Sequence, residues 1–217
     1  MKAAALIMAA GSSKRMRSGI NKPYLLYKGR PVIFYSLKVM SKIRDINEII
    51  IVIRRKDEKI CRRIIAKYGL KNTRICYGGE KRQDSVYNGL KEVKESNDLV
   101  LVHDAARPFI SVKLVKQLIK EAKIHKAVIP ALPVKETVKR LSDGWIVDAT
   151  LDRSKLYLAQ TPQVFDRKLI VRAYEEAYKT GFFGTDDAML VEHLNFPVIV
   201  IPGEEKNIKI TVREDLK

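Results

Sequence analysis

Two unbroken apolar runs, E-I-I-I-V-I at Glu48–Ile53 and L-V-L-V-H at Leu99–His103, constrain this chain most. A strand with one face in water alternates apolar and polar residues. These runs do not alternate, so each must be covered on both faces. Helical spacing nearby supplies the cover. It predicts a helix opened by Pro31, with Val32, Ile33, Tyr35, Leu37 and Met40 as its apolar positions. Further helices are read over Asp57–Tyr68, stopped by Gly69, over Asp84–Val93, with Asp84 as N-cap, and over Lys113–Lys123. Strands are read at Ala3–Met8, Arg74–Tyr77 and Ala127–Pro130. This alternation means parallel strands joined by helical crossovers: an α/β fold with a doubly wound, mostly parallel sheet. A length of 217 residues, 46% of them hydrophobic, fits a single domain over 1–217.

In such sheets ligands bind beyond the carboxyl ends of the strands. Three polar clusters fall there: A-A-G-S-S-K-R-M at 9–16, G-G-E-K-R at 78–82 and H-D-A-A-R-P at 103–108. Gly11 can turn tightly and let backbone N–H groups face an anion. Lys14, Arg15, Arg17 and Lys22 follow it. Ser13 and Met16 stand where the glycine-rich dinucleotide and P-loop patterns need glycine. Charge, more than backbone, must hold the anion, which suits a triphosphate whose pyrophosphate has to leave. The alternative is an ordinary basic surface loop. Gly78-Gly79 allows close approach of a flat base to backbone, or is a plain turn. Asp104, at a strand's carboxyl end, can hold Mg²⁺ on phosphate oxygens. Arg107 can fork onto phosphate. His103 reads as a structural residue anchoring the strand end. No nucleophile–base pair is evident, which leaves catalysis by positioning and charge.

Val134–Leu141 and Trp145–Leu151 break the alternation. They are strand-like, with Asp143-Gly144 between them, a hairpin signal. With no helix to cover it, the hairpin reads as an arm at about 134–152. Trp145 near its tip needs a surface, which predicts a homodimer; an arm folded back on its own domain is the other option. Helices at Asp166–Lys179 and Asp186–Leu194, and strands at Val198–Ile201 and Asn207–Ile210, complete the chain.

Lys and Arg number 42 against 25 Asp and Glu, a formal charge of +17. That fits an anionic partner or a heat-adapted composition. The basic residues are spread along the chain rather than gathered in a tail, which argues against nucleic acid as the main partner. No apolar stretch reaches the length of a membrane span, and the N-terminal one is short for a signal peptide. Cys61 and Cys76 have no disulfide or metal spacing, and His103, His125 and His193 are scattered, which argues against zinc. These features point to the cytoplasm.

The clusters are joined in order by N-K-P-Y-L (21–25), G-G-E-K-R-Q-D-S-V-Y-N-G-L (78–90), P-V-K-E-T-V-K (133–139), L-D-R (151–153), Q-T-P-Q-V-F (160–165), T-D-D-A (185–188) and N-I-K-I-T (207–211). The ordered set closely resembles the 2-C-methyl-D-erythritol 4-phosphate cytidylyltransferases of the non-mevalonate isoprenoid pathway, over nearly the whole chain. The resemblance implies a Rossmann-like nucleotidyltransferase fold with a projecting β-hairpin arm. It implies a reaction of CTP with methylerythritol 4-phosphate that gives the CDP-linked product and pyrophosphate, with Mg²⁺. Carried over by motif, Arg15 and Lys22 match the residues that hold the triphosphate and stabilise the transition state. Arg153 and Lys209 match those that position the sugar phosphate. Asp104 matches the residue associated with Mg²⁺ and the substrate hydroxyls. The cytidine contacts fall on Ala9, Ala10, Gly79, Glu80, Ser85 and Ala105, and the sugar-phosphate contacts on Arg107, Thr137, Thr161 and Thr185. The chain departs from the pattern at Ser13, where the family has a second glycine, and at Pro23, where it commonly has Gln. Pro23 predicts an extended Lys22. The nearest rival is a ribitol- or other polyol-phosphate cytidylyltransferase; the rival of another class is a basic nucleic-acid-binding module.

Overall fold

The structure is a computed structural model that describes residues 1–11 and 21–216. In chain order its strands and helices are β1 (Ala3–Met8), β2 (Leu26–Tyr27), β3 (Arg30–Pro31), α1 (Val32–Met40), β4 (Ile46–Ile53), α2 (Glu58–Lys67), β5 (Thr73–Tyr77), α3 (Arg82–Lys91), β6 (Leu99–Asp104), α4 (Val112–His125), β7 (Ala127–Pro133), β8 (Val138–Leu141), β9 (Val147–Leu151), β10 (Tyr157–Ala159), β11 (Gln163–Asp166), α5 (Arg167–Thr180), α6 (Asp187–His193) and β12 (Ile199–Pro202).

The main sheet has the order β10-β7-β11-β6-β1-β4-β5, with β12 on β7. β1 pairs in parallel with β4 and β6, β4 with β5, and β7 with β12. Only β10 and β11 run the other way. The strand period of two sorts the core into two layers. Ala3, Ala5 and Ile7 pack with Ile33 and Leu37 of α1, Ile64 of α2 and Leu118 of α4. Ala4 and Leu6 pack on the other face with Val86 of α3, Tyr174 of α5 and Val191 of α6. β4 is buried at every position but Asn47, as its unbroken apolar run requires.

Local chemistry sets the helix ends. Ser111 Oγ accepts from Leu114 N–H (3.0 Å) to start α4, and Asp166 Oδ1 accepts from Leu169 N–H (3.0 Å) to start α5. Gly181 ends α5 in the left-handed region (φ 69°). Asp84, expected as an N-cap, is instead the third residue of α3. Its carboxylate reaches back to accept from Lys81 N–H (2.9 Å), so the helix starts two residues earlier than its spacing suggests.

β8 and β9 form a separate two-stranded ladder off the main sheet. Gly144 (φ 76°) and Trp145 (φ 63°) turn the chain, and Trp145 is 88% exposed. Residues 207–210, read as a strand, are not one. Gln160, Thr161 and Arg107 take the polar groups of Asn207, and a backbone bond, Ile210 N–H to Ala106 O (2.8 Å), holds the segment just beyond β6. Among the described residues no helix is long and apolar enough to cross a membrane.

Candidate active site

The carboxyl ends of β1, β4, β5 and β6 open into one cleft of about 550 Å³. Ala9, Ala10 and Gly11 line it after β1, and Gly79, Glu80 and Ser85 after β5. Asp104 and Ala106 enter from β6, Lys22 from the turn Lys22–Tyr24, and Lys209 from the 207–211 segment. The three clusters at the strand ends therefore do converge. Arg54, Lys81 and Arg82 add to Lys22 and Lys209, so five cations face two carboxylates in the described lining, a charge balance suited to a polyanion. Arg15, Ser13, Lys14 and Arg17 lie outside the described residues.

Asp104 is the hub. Its Oδ2 lies 2.6 Å from Lys209 Nζ and its Oδ1 3.9 Å from Arg82 Nε. Burial by itself raises the carboxyl's pKa; Lys209 and then Arg82 outweigh burial, and the net direction is down. Asp104 is thus ionised near neutrality. Arg82 is aimed from behind: its two Nη atoms meet Asp187 at 3.0 and 2.6 Å, and Tyr174 OH donates to the same carboxylate at 2.6 Å. Asp187, at the start of α6, is fully buried.

His103 is structural. Burial pushes it down to about 4 against the pull of Asp104, so the ring is neutral near pH 7. Its Nε2 lies 3.0 Å from the Arg107 carbonyl, which can only accept, so Nε2 carries the proton. Nδ1 then accepts from the Thr161 hydroxyl (3.1 Å), whose oxygen accepts from Asp104 N–H (3.0 Å). This chain of bonds seats Asp104 and leaves the imidazole no proton-accepting nitrogen for a substrate.

Lys22 departs from the extended conformation expected before Pro23. It opens a 3₁₀ turn closed by Tyr24 N–H to Asn21 O (2.9 Å) and Leu25 N–H to Lys22 O (3.1 Å). Proline is tolerated there because the first residues of such a turn donate no bond. The glycine pair serves packing. A Cβ on Gly78 would lie 2.6 Å from Ala10 Cβ, and one on Gly79 would lie 2.4 Å from Asp84 Cβ. Gly79 N–H is already given to Ser85 Oγ (3.1 Å).

Other sequence-derived residues stand apart from the cleft. Ala105 is fully buried, and its neighbour Ala106 lines the cleft instead. Thr161 lies behind Asp104 as described. Arg107 turns its guanidinium to main-chain carbonyls, Asn207 O at 2.8 Å and Ala159 O at 3.5 Å, and so braces the segment that carries Lys209. Thr185 is exposed on the loop before α6. Thr137 and Arg153 are exposed at the base of the arm, where Arg153 bonds Lys135 O, and neither lines the cleft within one chain. Sequence reasoning missed Arg82 and Arg54. Arg82 sits inside the G-G-E-K-R cluster; Arg54 has only its place after an apolar run as a signal.

The sequence model of the 2-C-methyl-D-erythritol 4-phosphate cytidylyltransferase family matches residues 3–217. The chain belongs to this family. The enzyme of that name from Clostridioides difficile (strain 630) is 44% identical over 97% of this chain and 89% of its own length. The one from Caldanaerobacter subterraneus subsp. tengcongensis is 43% identical over 100% and 96%. Among solved structures, the 4-diphosphocytidyl-2C-methyl-D-erythritol synthase of Anaerococcus prevotii DSM 20548 superposes with a TM-score of 0.89 at 41% identity, covering 99% of this chain and 92% of that one. The chain is a cytidylyltransferase, a nucleotidyltransferase of isoprenoid biosynthesis.

Proposed function

We propose that the cleft binds CTP and 2-C-methyl-D-erythritol 4-phosphate and joins them with release of pyrophosphate, through the cations Lys22 and Lys209, with Arg15 as a further member. One observation carries this reading: five cations line the cleft at the strand ends, and two of them, Lys209 and Arg82, approach the ionised Asp104. The nucleophile is a phosphate monoester oxygen, whose second pKa is about 6. At neutral pH it is largely ionised and needs no base, which agrees with a His103 whose nitrogens are both engaged. The obstacle is repulsion between two anions. Lys22 and Lys209 offset it and hold the oxygen in line with the α-phosphorus.

Mg²⁺ fits this site: an ionised carboxylate enters the cleft at a strand's carboxyl end, and one carboxylate beside nucleotide phosphates is a common donor set for this ion. Asp104 would hold it; when bound, it neutralises charge between phosphate oxygens. Lys209, 2.6 Å from Asp104, pairs with the carboxylate and favours its ionised form. The buried, unpaired Cys61 and Cys76 support a cytoplasmic setting. The test is product formation from CTP with methylerythritol 4-phosphate or ribitol phosphate in turn. We expect the first to be turned over at least tenfold faster; preference for ribitol phosphate would replace the reading with the polyol enzyme.

A homodimer through the arm belongs to the same proposal. Trp145, Ile146 and Leu141 at its tip, and Tyr157 and Leu158 near its base, are exposed apolar groups that a second copy would cover. Thr137 and Arg153 would then serve the partner's cleft, since they stand apart from their own. Mixing Lys22→Ala chains with Arg153→Ala chains, followed by subunit exchange, tests this. Activity is expected to return to about a quarter of wild type, because half the dimers are mixed and each has one intact site. No recovery after proven exchange would place Arg153 in its own chain's site.

A further inference from the structure

Arg54 is the first residue beyond β4, and nothing in the motifs carried over from the family includes it. β4 lies between β1 and β5, so its end is flanked by two cleft walls. Ala9 N–H donates to Val52 O and Gly78 N–H to Ile53 O, both at 2.8 Å. Arg54 therefore enters the cleft between the loop after β1 and the glycine pair. Its Nε lies 2.9 Å from Asp57 Oδ2, and its two Nη groups bond none of the described residues.

An arginine held by Nε alone presents an unused pair of donors. That pair matches two oxygens of a phosphate. Asp57 is 9% exposed and does not line the cleft. The same Oδ2 also accepts from Asn21 Nδ2 (3.2 Å), which in turn donates to Ala9 O (2.9 Å). One carboxylate thus ties Arg54 to the residue preceding Lys22 and to the end of β1. A helix-start salt bridge by itself would not need this second partner.

We propose that Arg54 is a phosphate-binding residue of the nucleotide site and that Asp57 is its positioning residue, aiming Arg54 and anchoring the Asn21–Lys22 segment. The tie to Asn21 sets Arg54 on the Lys22 side of the cleft, the side that the proposed role of Lys22 gives to the triphosphate tail. The inference rests on the reading of the cleft as a CTP site.

The test compares binding of CTP and of cytidine, by calorimetry, to wild type, Arg54→Ala and Arg54→Lys. Loss of one charge-assisted phosphate contact predicts a dissociation constant for CTP about tenfold higher in Arg54→Ala, with cytidine unchanged and partial recovery in Arg54→Lys. Turnover should show the same split, with KM for CTP up and kcat within about threefold of wild type. Asp57→Asn keeps the shape and frees the guanidinium, so it should give a smaller rise in the same KM. Arg54→Gln keeps the aliphatic stem and carries the same expectation should the alanine variant not fold. Unchanged CTP affinity, or equal weakening of CTP and cytidine, would overturn the proposal. Wild type binding CTP no better than cytidine would instead overturn the reading of the cleft.

Discussion

Lys209→Ala is expected to lower kcat roughly 10²–10³-fold, the usual cost of removing one group aimed at transition-state charge. The protein should remain folded. Asn207 is held by Gln160, Thr161 and Arg107, and Ile210 by Ala106, so the segment stays in place without the ammonium. The side chain of Lys209 is 43% exposed, so its removal leaves no buried void. A second consequence separates this loss from general damage. Lys209 is the foremost group opposing burial at Asp104, so without it the Asp104 carboxyl titrates higher. The acid limb of the pH–rate profile should move upward in the variant, because the ionised carboxylate is now lost at a higher pH. Steady-state kinetics from pH 5 to 8, with thermal unfolding as the control for folding, checks both. A kcat within threefold of wild type would remove Lys209 from the reaction.

Asp187→Ala is expected to be the most destabilising single change in the site, by about 3–5 kcal/mol. Asp187 is fully buried and receives two bonds from Arg82 and one from Tyr174 OH. Burial lowers the Arg82 pKa and Asp187 more than restores it, so Arg82 stays charged and must keep a partner. Deleting the carboxylate leaves Arg82 with only its long approach to Asp104 (3.9 Å) and leaves the buried Tyr174 hydroxyl without its acceptor. Asp187→Asn, which still accepts from Tyr174, should cost less. Urea unfolding monitored by circular dichroism measures the difference; a loss under 1 kcal/mol for the alanine variant would mean that the pair contributes little. Because Arg82 also approaches Asp104, kcat should fall in both variants even well below their melting range.

Much of this was legible beforehand, and the reason differs from case to case. The runs at 48–53 and 99–103 are strands of a sheet covered on both faces, which buries an apolar residue at nearly every position. The carboxyl ends of parallel strands collect ligand-binding loops by topology, so Ala9, Gly79, Asp104 and Lys22 could be gathered before any coordinates. Asp143-Gly144 marked the arm because only a turn there satisfies its backbone. The failures also have causes. β10 and β11, three and four residues long, are too short for a period to show, and they run against the rest of the sheet. Asp84 looked like a cap because the residue that bonds it, Lys81, lies on its N-terminal side and was not read as part of the helix. Arg107 and Thr161 were placed by motif as substrate contacts; what the fold adds is that their bonds reach the backbone and side chains that hold Asp104 and Lys209.

What the chain's order of residues determined alone is the local part: strand and helix by periodicity, turns by glycine and proline, and the family by an ordered set of motifs. Tertiary structure decided the pairings. Arg82 meets Asp187 across 105 positions, Lys209 meets Asp104 across the same number, and Asn21 meets Asp57 across 36. No local propensity encodes such contacts, because the free energy of each depends on burial and on partners that only the packed sheet brings within 4 Å.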